Sequence, residues 1–518
     1  MRKKTKLITM LLVVMMATTL LITACGNNNN ASTNTDAGKA SPNANANTGE
    51  NGATDSATKE PAELTLAFPI FGAMPKDMNL IQEEVNKITK AKINATVKLM
   101  PISFGNWNQQ TNLMMSSNEK LDLMLVLGTY NTQVAKGQLL PIDDLIEKYG
   151  AGIKSAVGED YLKVPKVEGK TYGVPTVREF ARNFGFTMRK DIAEKHNIDV
   201  SAIKTLDDVE AVLKVIKEKE PNMTPIAPGG ANSTFMQTYA PYDGLGDAYG
   251  VLPNYDNDLK IVNNIETPEY AAFMKKFRSW YTSGYVLKDA ATNQTSSVDL
   301  VKAGKLFGYL TPMKPGFEGQ ESRAAGHEMV SAELIEPVAT TFTITGIMWG
   351  VPHHATNPDR SMMLLDLLYT DKDLVNLLIW GIEGKHYVKV ADNVIDFPEG
   401  VDGSTSGYYM GLGWMWGNQF LSYVFNGDDP EIWTKMAEFN KNAKKSKALG
   451  FSFNADPVKT EITAVANVVN QYQKGIETGT LDPDKALPDY ISKMKSAGVD
   501  KIIAEKQKQL DAWAQANK

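Results

Sequence analysis

The sequence predicts an α/β protein folded as two lobes. Three observations carry that expectation. Strand-like and helix-like stretches alternate from Glu63 onward, the signal for a parallel sheet with helical crossovers. The part with globular composition, residues 63–518, is about 455 residues, more than one hydrophobic core usually serves. The chain has a single cysteine, Cys25, so no intrachain disulfide staples the fold and the cores must hold it alone.

The elements follow in order. Residues 63–68 read as a strand. Over 77–90, Met78, Ile81, Val85 and Ile88 recur at spacings of three and four, which predicts a helix. Residues 93–99 alternate apolar and polar, as a half-buried strand does. A helix is expected over 107–116. Residues 121–127 are nearly all apolar, which suits a strand covered on both faces. In an open sheet of this kind, ligands bind beyond the carboxyl ends of the strands. Those ends hold Phe68 to Phe71, Ser103 to Trp107, and Gly128 to Asn131. Further on, Thr205-Leu206-Asp207-Asp208-Val209 opens a helix, and 343–348 reads as a strand ending at Trp349.

The first residues have another character. Arg2, Lys3, Lys4 and Lys6 precede an uncharged apolar run over 7–22, too short for a membrane span and right for a signal-peptide core. It ends in Ile22-Thr23-Ala24-Cys25-Gly26, which resembles the lipobox of bacterial lipoproteins. That resemblance implies cleavage after residue 24 and a diacylglyceryl group on Cys25, with acylation such as palmitate. Residues 26–62 are mostly Asn, Ala, Thr, Ser, Gly and Asp, without an aromatic or large aliphatic side chain. Such a segment cannot offset its ordering entropy and is expected to be a disordered tether with an end-to-end distance of roughly 30–35 Å. Residues 25–62 thus join a membrane anchor to a water-soluble body.

Charge narrows the partners. The full chain carries −6, and loss of the four signal-peptide cations takes the remainder to about −10. Nucleic acid is therefore not an expected partner. The five histidines, His196, His327, His353, His354 and His386, form no His-x-x-x-His pair. Neither 219–225 nor 254–258 has the ligand spacing of a calcium loop. No metal or cofactor is expected. The chain lacks a Gly-x-Ser-x-Gly elbow, a phosphate-binding loop and a His-Glu-x-x-His motif. A carboxylate pair of the glycosidase type is not signalled among the 60 acidic residues.

A series of short motifs carries a family resemblance. Gly137-Gln138-Leu139-Leu140-Pro141-Ile142-Asp143 follows the 121–127 strand. Glu168-Gly169-Lys170-Thr171-Tyr172-Gly173-Val174-Pro175, Arg189-Lys190-Asp191 and the 205–209 helix start come next. Gly381-Ile382-Glu383-Gly384-Lys385-His386-Tyr387, Gly450-Phe451-Ser452-Phe453 and a closing run from Leu487 to Trp513 complete the order. Together these resemble family 1 extracellular solute-binding proteins, the carbohydrate receptors of ABC importers, in the lipoprotein form common in Gram-positive bacilli. The resemblance implies a type II periplasmic-binding-protein fold: two α/β lobes joined by crossing strands, with ligand held between them. On this chain, lobe one is expected to take 63–183 and 305–369, and lobe two 184–304 and 370–518. The first crossing is placed at 184–188 and the return at 306–310.

The chemistry of sugar recognition selects candidates. Pyranose rings have apolar C–H faces and polar edges, so aromatic rings stack on the faces and polar side chains bond the hydroxyls. Gly413-Trp414-Met415-Trp416-Gly417-Asn418-Gln419 offers two rings and two amides. Trp107 follows Asn106 at a strand end, Tyr130 follows the third strand, and Trp349 ends the predicted 343–348 strand. Arg178 and Glu179 precede the first crossing, and Asp243 is a further polar candidate. The expected ligand-binding set is therefore Trp107, Tyr130, Arg178, Glu179, Asp243, Trp349, Trp414, Trp416, Asn418 and Gln419. Trp280, Trp433 and Trp513 read as helix-face packing residues.

The function expected is a monomeric, lipid-anchored receptor on the outer face of the cell membrane. It captures an oligosaccharide and delivers it to ABC permease subunits. The alternatives are a surface-anchored carbohydrate-active enzyme or adhesin, or a receptor for a peptide-like solute. Turnover of sugar separates the enzyme from the receptor.

Overall fold

The computed structural model describes residues 58–517; the expected signal peptide, Cys25 and nearly all of the tether lie outside the described residues. The body, Gly52–Lys518, is one unit by its internal contacts. It contains two five-stranded sheets and two large cores.

The first sheet is the one that the sequence alternation announces. Ala62–Ile70 lies between Ala95–Ser103 and Leu123–Leu127, and both pairings are parallel. The intervening helices are Met78–Ile93 and Trp107–Ser117. Met78, Ile81, Val85, Thr89 and Ile93 form the buried stripe of the first, and Asn94, in the left-handed region at φ 45°, ends it. Ile347–Gly350 then adds antiparallel to Leu123–Leu127, and Val174–Pro175 closes the sheet.

The expected strand over 343–348 is corrected. Its first residues form a short helix, Thr341–Thr345, and the strand begins at Ile347. The cause is a capping box. The Thr340 side chain accepts from the Thr343 backbone, while the Thr343 hydroxyl accepts from the Thr340 N–H. These local bonds override the β preference of a Thr/Ile-rich run.

The second sheet runs in the order Lys444–Lys445, Met329–Ala339, Arg182–Arg189, Leu306–Met313, Thr224–Pro228. Its two central strands contain the segments expected to cross, paired antiparallel with Gly308 opposite Met188. The helix Leu206–Lys219 flanks it, as the 205–209 sequence announces, and starts on a capping box of Thr205 and Asp208.

The first core takes residues between Leu64 and Phe180 and between Ile344 and Trp416. The second takes residues between Phe186 and Ala332 and between Val458 and Ile502. The stretch 370–518, assigned whole to lobe two from sequence, is divided by this packing. Leu374, Leu378, Tyr408 and Met415 sit in the first core; Val465, Ile476, Met494 and Ile502 sit in the second. The motif around His386 belongs to the first part. The His386 ring is buried, takes the Ile382 N–H at 2.8 Å on Nδ1, and meets Asp77 Oδ2 at 3.0 Å on Nε2. His386 and then Lys385 hold the Asp77 carboxyl below its usual range.

Candidate functional site

Two features stand out, one at the carboxyl edge of the first sheet and one beside the second sheet. Phe71 follows the strand Ala62–Ile70, and Phe104 follows Ala95–Ser103. Because those strands are parallel neighbours, with Ile70 in register with Ser103, the two rings emerge side by side. They stack at 4.5 Å, and each is about half exposed (49% and 52%). Trp414, half-buried, meets Phe71 edge-on at 5.8 Å. The three rings make an aromatic ledge open to solvent. Large exposed rings grouped in this way mark a binding surface more often than they mark nothing.

The second feature is a cavity of about 220 Å³ beside the second sheet. Its lining includes Arg182 and Phe184 from a central strand of the second sheet, Gln237, Tyr242 and Asp243, and Phe342 on the short helix Thr341–Thr345. That helix leads into Ile347–Gly350, whose first residue pairs with Leu127, and Gly128 N–H donates to Gly346 O at 2.9 Å. Phe342, 53% exposed, therefore stands at the same sheet edge as the ledge. The location is the one the sheet topology anticipates.

The polar groups of the cavity are open to a partner. Arg182 is half-buried, and no hydrogen bond or ion pair engages its guanidinium among the described residues. Asp243 is 5% exposed; its Oδ1 accepts from Leu245 N–H at 3.0 Å, while Oδ2 has no hydrogen bond of good geometry. Burial pushes the Asp243 carboxyl up; the Ser446 hydroxyl, the Leu245 amide and the Lys506 charge oppose that. Gln237 is exposed and uses its carbonyl oxygen to accept from Thr234 N–H, leaving its amide N–H groups for another acceptor. Exposed rings and unspent polar groups are the two kinds of contact that a pyranose takes.

The expected site residues fall into three groups. Asp243 lines the cavity and Trp414 forms the ledge. Glu179, Asn418 and Gln419 are half-buried. Glu179 is engaged by Arg178 at 3.1 Å and Lys314 at 3.2 Å. Burial alone would raise its carboxyl, yet Lys314 and Arg178 hold it below the usual range. Asn418 caps the turn Gln419–Leu421 through Phe420 N–H at 3.0 Å.

The remaining five are corrections. Trp107, Tyr130, Arg178, Trp349 and Trp416 are each no more than 3% exposed and offer a ligand no open face. Trp349 donates to Met415 O at 2.7 Å and stacks on Trp416, which meets Phe68 edge-on at 4.8 Å. The Tyr130 hydroxyl donates to Pro165 O at 2.6 Å. Arg178 donates to Thr343 O at 2.7 Å and Glu179 O at 2.9 Å, and its own carbonyl accepts from Asn440. It ties the chain entering the second sheet to the Thr341–Thr345 helix. The physical reason is common to all five. A large side chain fills the core as readily as it lines a surface, and residue type alone does not say which.

Sequence reasoning passed over Arg182, Phe184, Gln237, Tyr242 and Phe342. It located the strand ends with Phe71 and Ser103 to Trp107 but favoured the tryptophan over the two phenylalanines. Among the described residues, no three or more His, Cys, Asp or Glu side chains converge as a metal site would need. No described helix is long and apolar enough to cross a membrane.

Residues 73–375 match the family model for bacterial extracellular solute-binding proteins. A carbohydrate ABC transporter substrate-binding protein of Streptococcus pneumoniae (serotype 4, strain ATCC BAA-334 / TIGR4) is 31% identical over 459 residues, 86% of this chain and 90% of that one. The chain belongs to the bacterial extracellular solute-binding proteins. Within this solute-binding protein, residues 447–515 also match a domain of unknown function, DUF3502. The N-glycan transport solute-binding protein NgtS of S. pneumoniae is similar in fold, with a TM-score of 0.78 and 29% identity over 89% of this chain and all of that one. The structure of NgtS in complex with Man5GlcNAc gives a TM-score of 0.66 at the same identity and coverage.

Proposed function

We propose that this solute-binding protein captures an oligosaccharide on the ledge and in the cavity, and hands it intact to the permease of an ABC importer. Lipid on Cys25, read from the lipobox-like sequence, holds it at the outer face of the cell membrane. The two cores act as the two lobes, and the strands Arg182–Arg189 and Leu306–Met313 run between them. The ligand works as a receptor's ligand does and is not turned over.

One observation carries this reading. Stacked, solvent-open rings stand at the carboxyl edge of the first sheet, and the cavity keeps hydrogen-bonding capacity in reserve on Arg182, Gln237 and Asp243. The relatives support the ligand class, since NgtS is described as an N-glycan transport protein and has been solved with a mannose-containing glycan. A cavity of this size is below the 300–1,000 Å³ typical of a site that encloses a whole drug-sized ligand. An oligosaccharide therefore extends beyond it, and the ledge is where its further rings stack.

A thermal-shift screen of the protein against an oligosaccharide panel tests the reading. A ligand at a hundred times its Kd stabilises the fold by about 2.7 kcal/mol, visible as a rise in Tm, and the sugar is recovered uncut. Trp414→Ala then weakens binding by about 1–3 kcal/mol in a variant that stays folded. No shift with any saccharide rejects the ligand class, and cleaved product rejects the receptor.

A further inference from the structure

The cavity wall formed by residues 244–255 has an unusual backbone. Leu245 (φ 49°), Ala248 (φ 61°), Asn254 (φ 51°) and Tyr255 (φ 61°) all sit in the left-handed region, beside Gly246 and Gly250. Side chains other than glycine and asparagine adopt that conformation only where the surroundings impose it. Leu245, Ala248 and Tyr255 all line the cavity. Something outside the segment must hold it.

Besides the pairing of Leu252–Pro253 with Tyr242–Asp243 and of Val251 with Val262, contacts that hold it come from the C-terminal module. Lys506, on the helix Val499–Ala516, is fully buried. Its ammonium group donates to Asp247 Oδ1, to Tyr249 O at 3.1 Å and to Gly250 O at 3.3 Å. All three donors are spent on this one segment, and the charge lies 4.9 Å from the Phe453 ring centre. A lysine is almost never fully buried without such partners. The next residue repeats the pattern: Gln507 donates to Leu259 O at 3.0 Å and accepts from Ile261 N–H at 2.8 Å. Lys447 N–H donates to Tyr255 O at 3.0 Å. Leu245, Leu252 and Ile261 share a separate apolar cluster with Ala448, Phe451 and Leu510. Gly250 shows how close the approach is, since a Cβ there would stand 2.9 Å from Ile503 side-chain atoms. Lys506 is also among the charges that act on the cavity's Asp243.

We infer that the 447–515 module, matched only as a domain of unknown function, is a buttress that fixes the shape of the ligand cavity's wall, with Lys506 as its positioning residue. The role in ligand affinity rests on the cavity being the saccharide site; the role in ordering the wall does not.

Hydrogen exchange on the unliganded protein tests the ordering role. In Lys506→Met, which keeps the stem and removes the charge, amides of 244–250 exchange at least tenfold faster, while those of Leu123–Leu127 keep their rates. Unchanged exchange at 244–250 overturns the inference. Should Lys506→Met fail to fold, Asp247→Asn, which weakens the same contact from the wall side, serves instead, with the same gain expected at 244–250 and the same reading if none is seen. Calorimetry with Man5GlcNAc tests the affinity role. Lys506→Met binds at least tenfold more weakly, whereas Leu213→Ala, in the second core, lowers Tm and leaves affinity unchanged. A loosened wall with wild-type affinity overturns the positioning role. Failure of the wild type to bind Man5GlcNAc counts against the saccharide reading, and the exchange result still decides the buttress.

Discussion

Glu477 shows how one buried side chain sets a property of the protein. It lies in the second lobe's core region at the end of the helix Lys459–Glu477, with 3% of its surface exposed. Burial pushes its carboxyl up to about 7, although Thr234, Tyr270 and Gln473 all donate to it and resist the shift. The folded protein therefore binds this proton more tightly than the unfolded chain does. Stability from this group is fully present below about pH 4.5 and is lost as pH rises towards 7. The loss is on the order of 3 kcal/mol. Glu477→Gln, neutral at every pH, is expected to lack that decline. Urea unfolding between pH 4.5 and 8 checks it, and parallel slopes for the two proteins would contradict the assignment. Thr234 also accepts from Gln237 N–H, so the same group anchors a cavity residue. At this scale residue type was a poor guide. Trp414 and Trp416 stand two apart in one short motif, yet one is on the ledge and the other is wholly enclosed.

At the scale of elements, the local signals were strong where periodicity was long. The opening strand–helix–strand–helix–strand run, the Thr205 cap and the crossing strands all appear close to their expected bounds. The 343–348 run did not, because a threonine capping box out-competes β propensity over five residues. The turn at 413–419 is decided by one position. Gly417 has φ 54°, and a Cβ there would stand 2.2 Å from Leu368 O. Its carbonyl accepts from Val177 N–H at 2.7 Å, which joins this turn to the chain entering the second sheet. Gly417→Ala is expected to cost about 1–3 kcal/mol from backbone conformation, with more from the clash. Denaturant unfolding measures it; a variant as stable as the wild type would mean that Leu368 and its neighbours yield freely.

For the whole molecule, the proposed receptor role predicts that the parts built on the two cores close on a ligand as hinged lobes do. A ligand that touches both sides favours the closed state by its differential affinity for it. Small-angle X-ray scattering with and without a bound oligosaccharide is expected to show a smaller radius of gyration in the complex. An unchanged radius with saturated ligand would count against closure.

The sequence by itself determined the α/β class, the order of the first elements and the family. Those follow from periodicity and short-range capping, which are encoded within a few residues. Which rings face solvent, and that residues 374–416 join the first core, were decided only in the tertiary structure. So was the hold of Lys506 on a cavity wall some 250 residues away in sequence. Burial depends on partners brought together from distant parts of the chain, and no local pattern around Phe71 or Trp416 records which partner arrives.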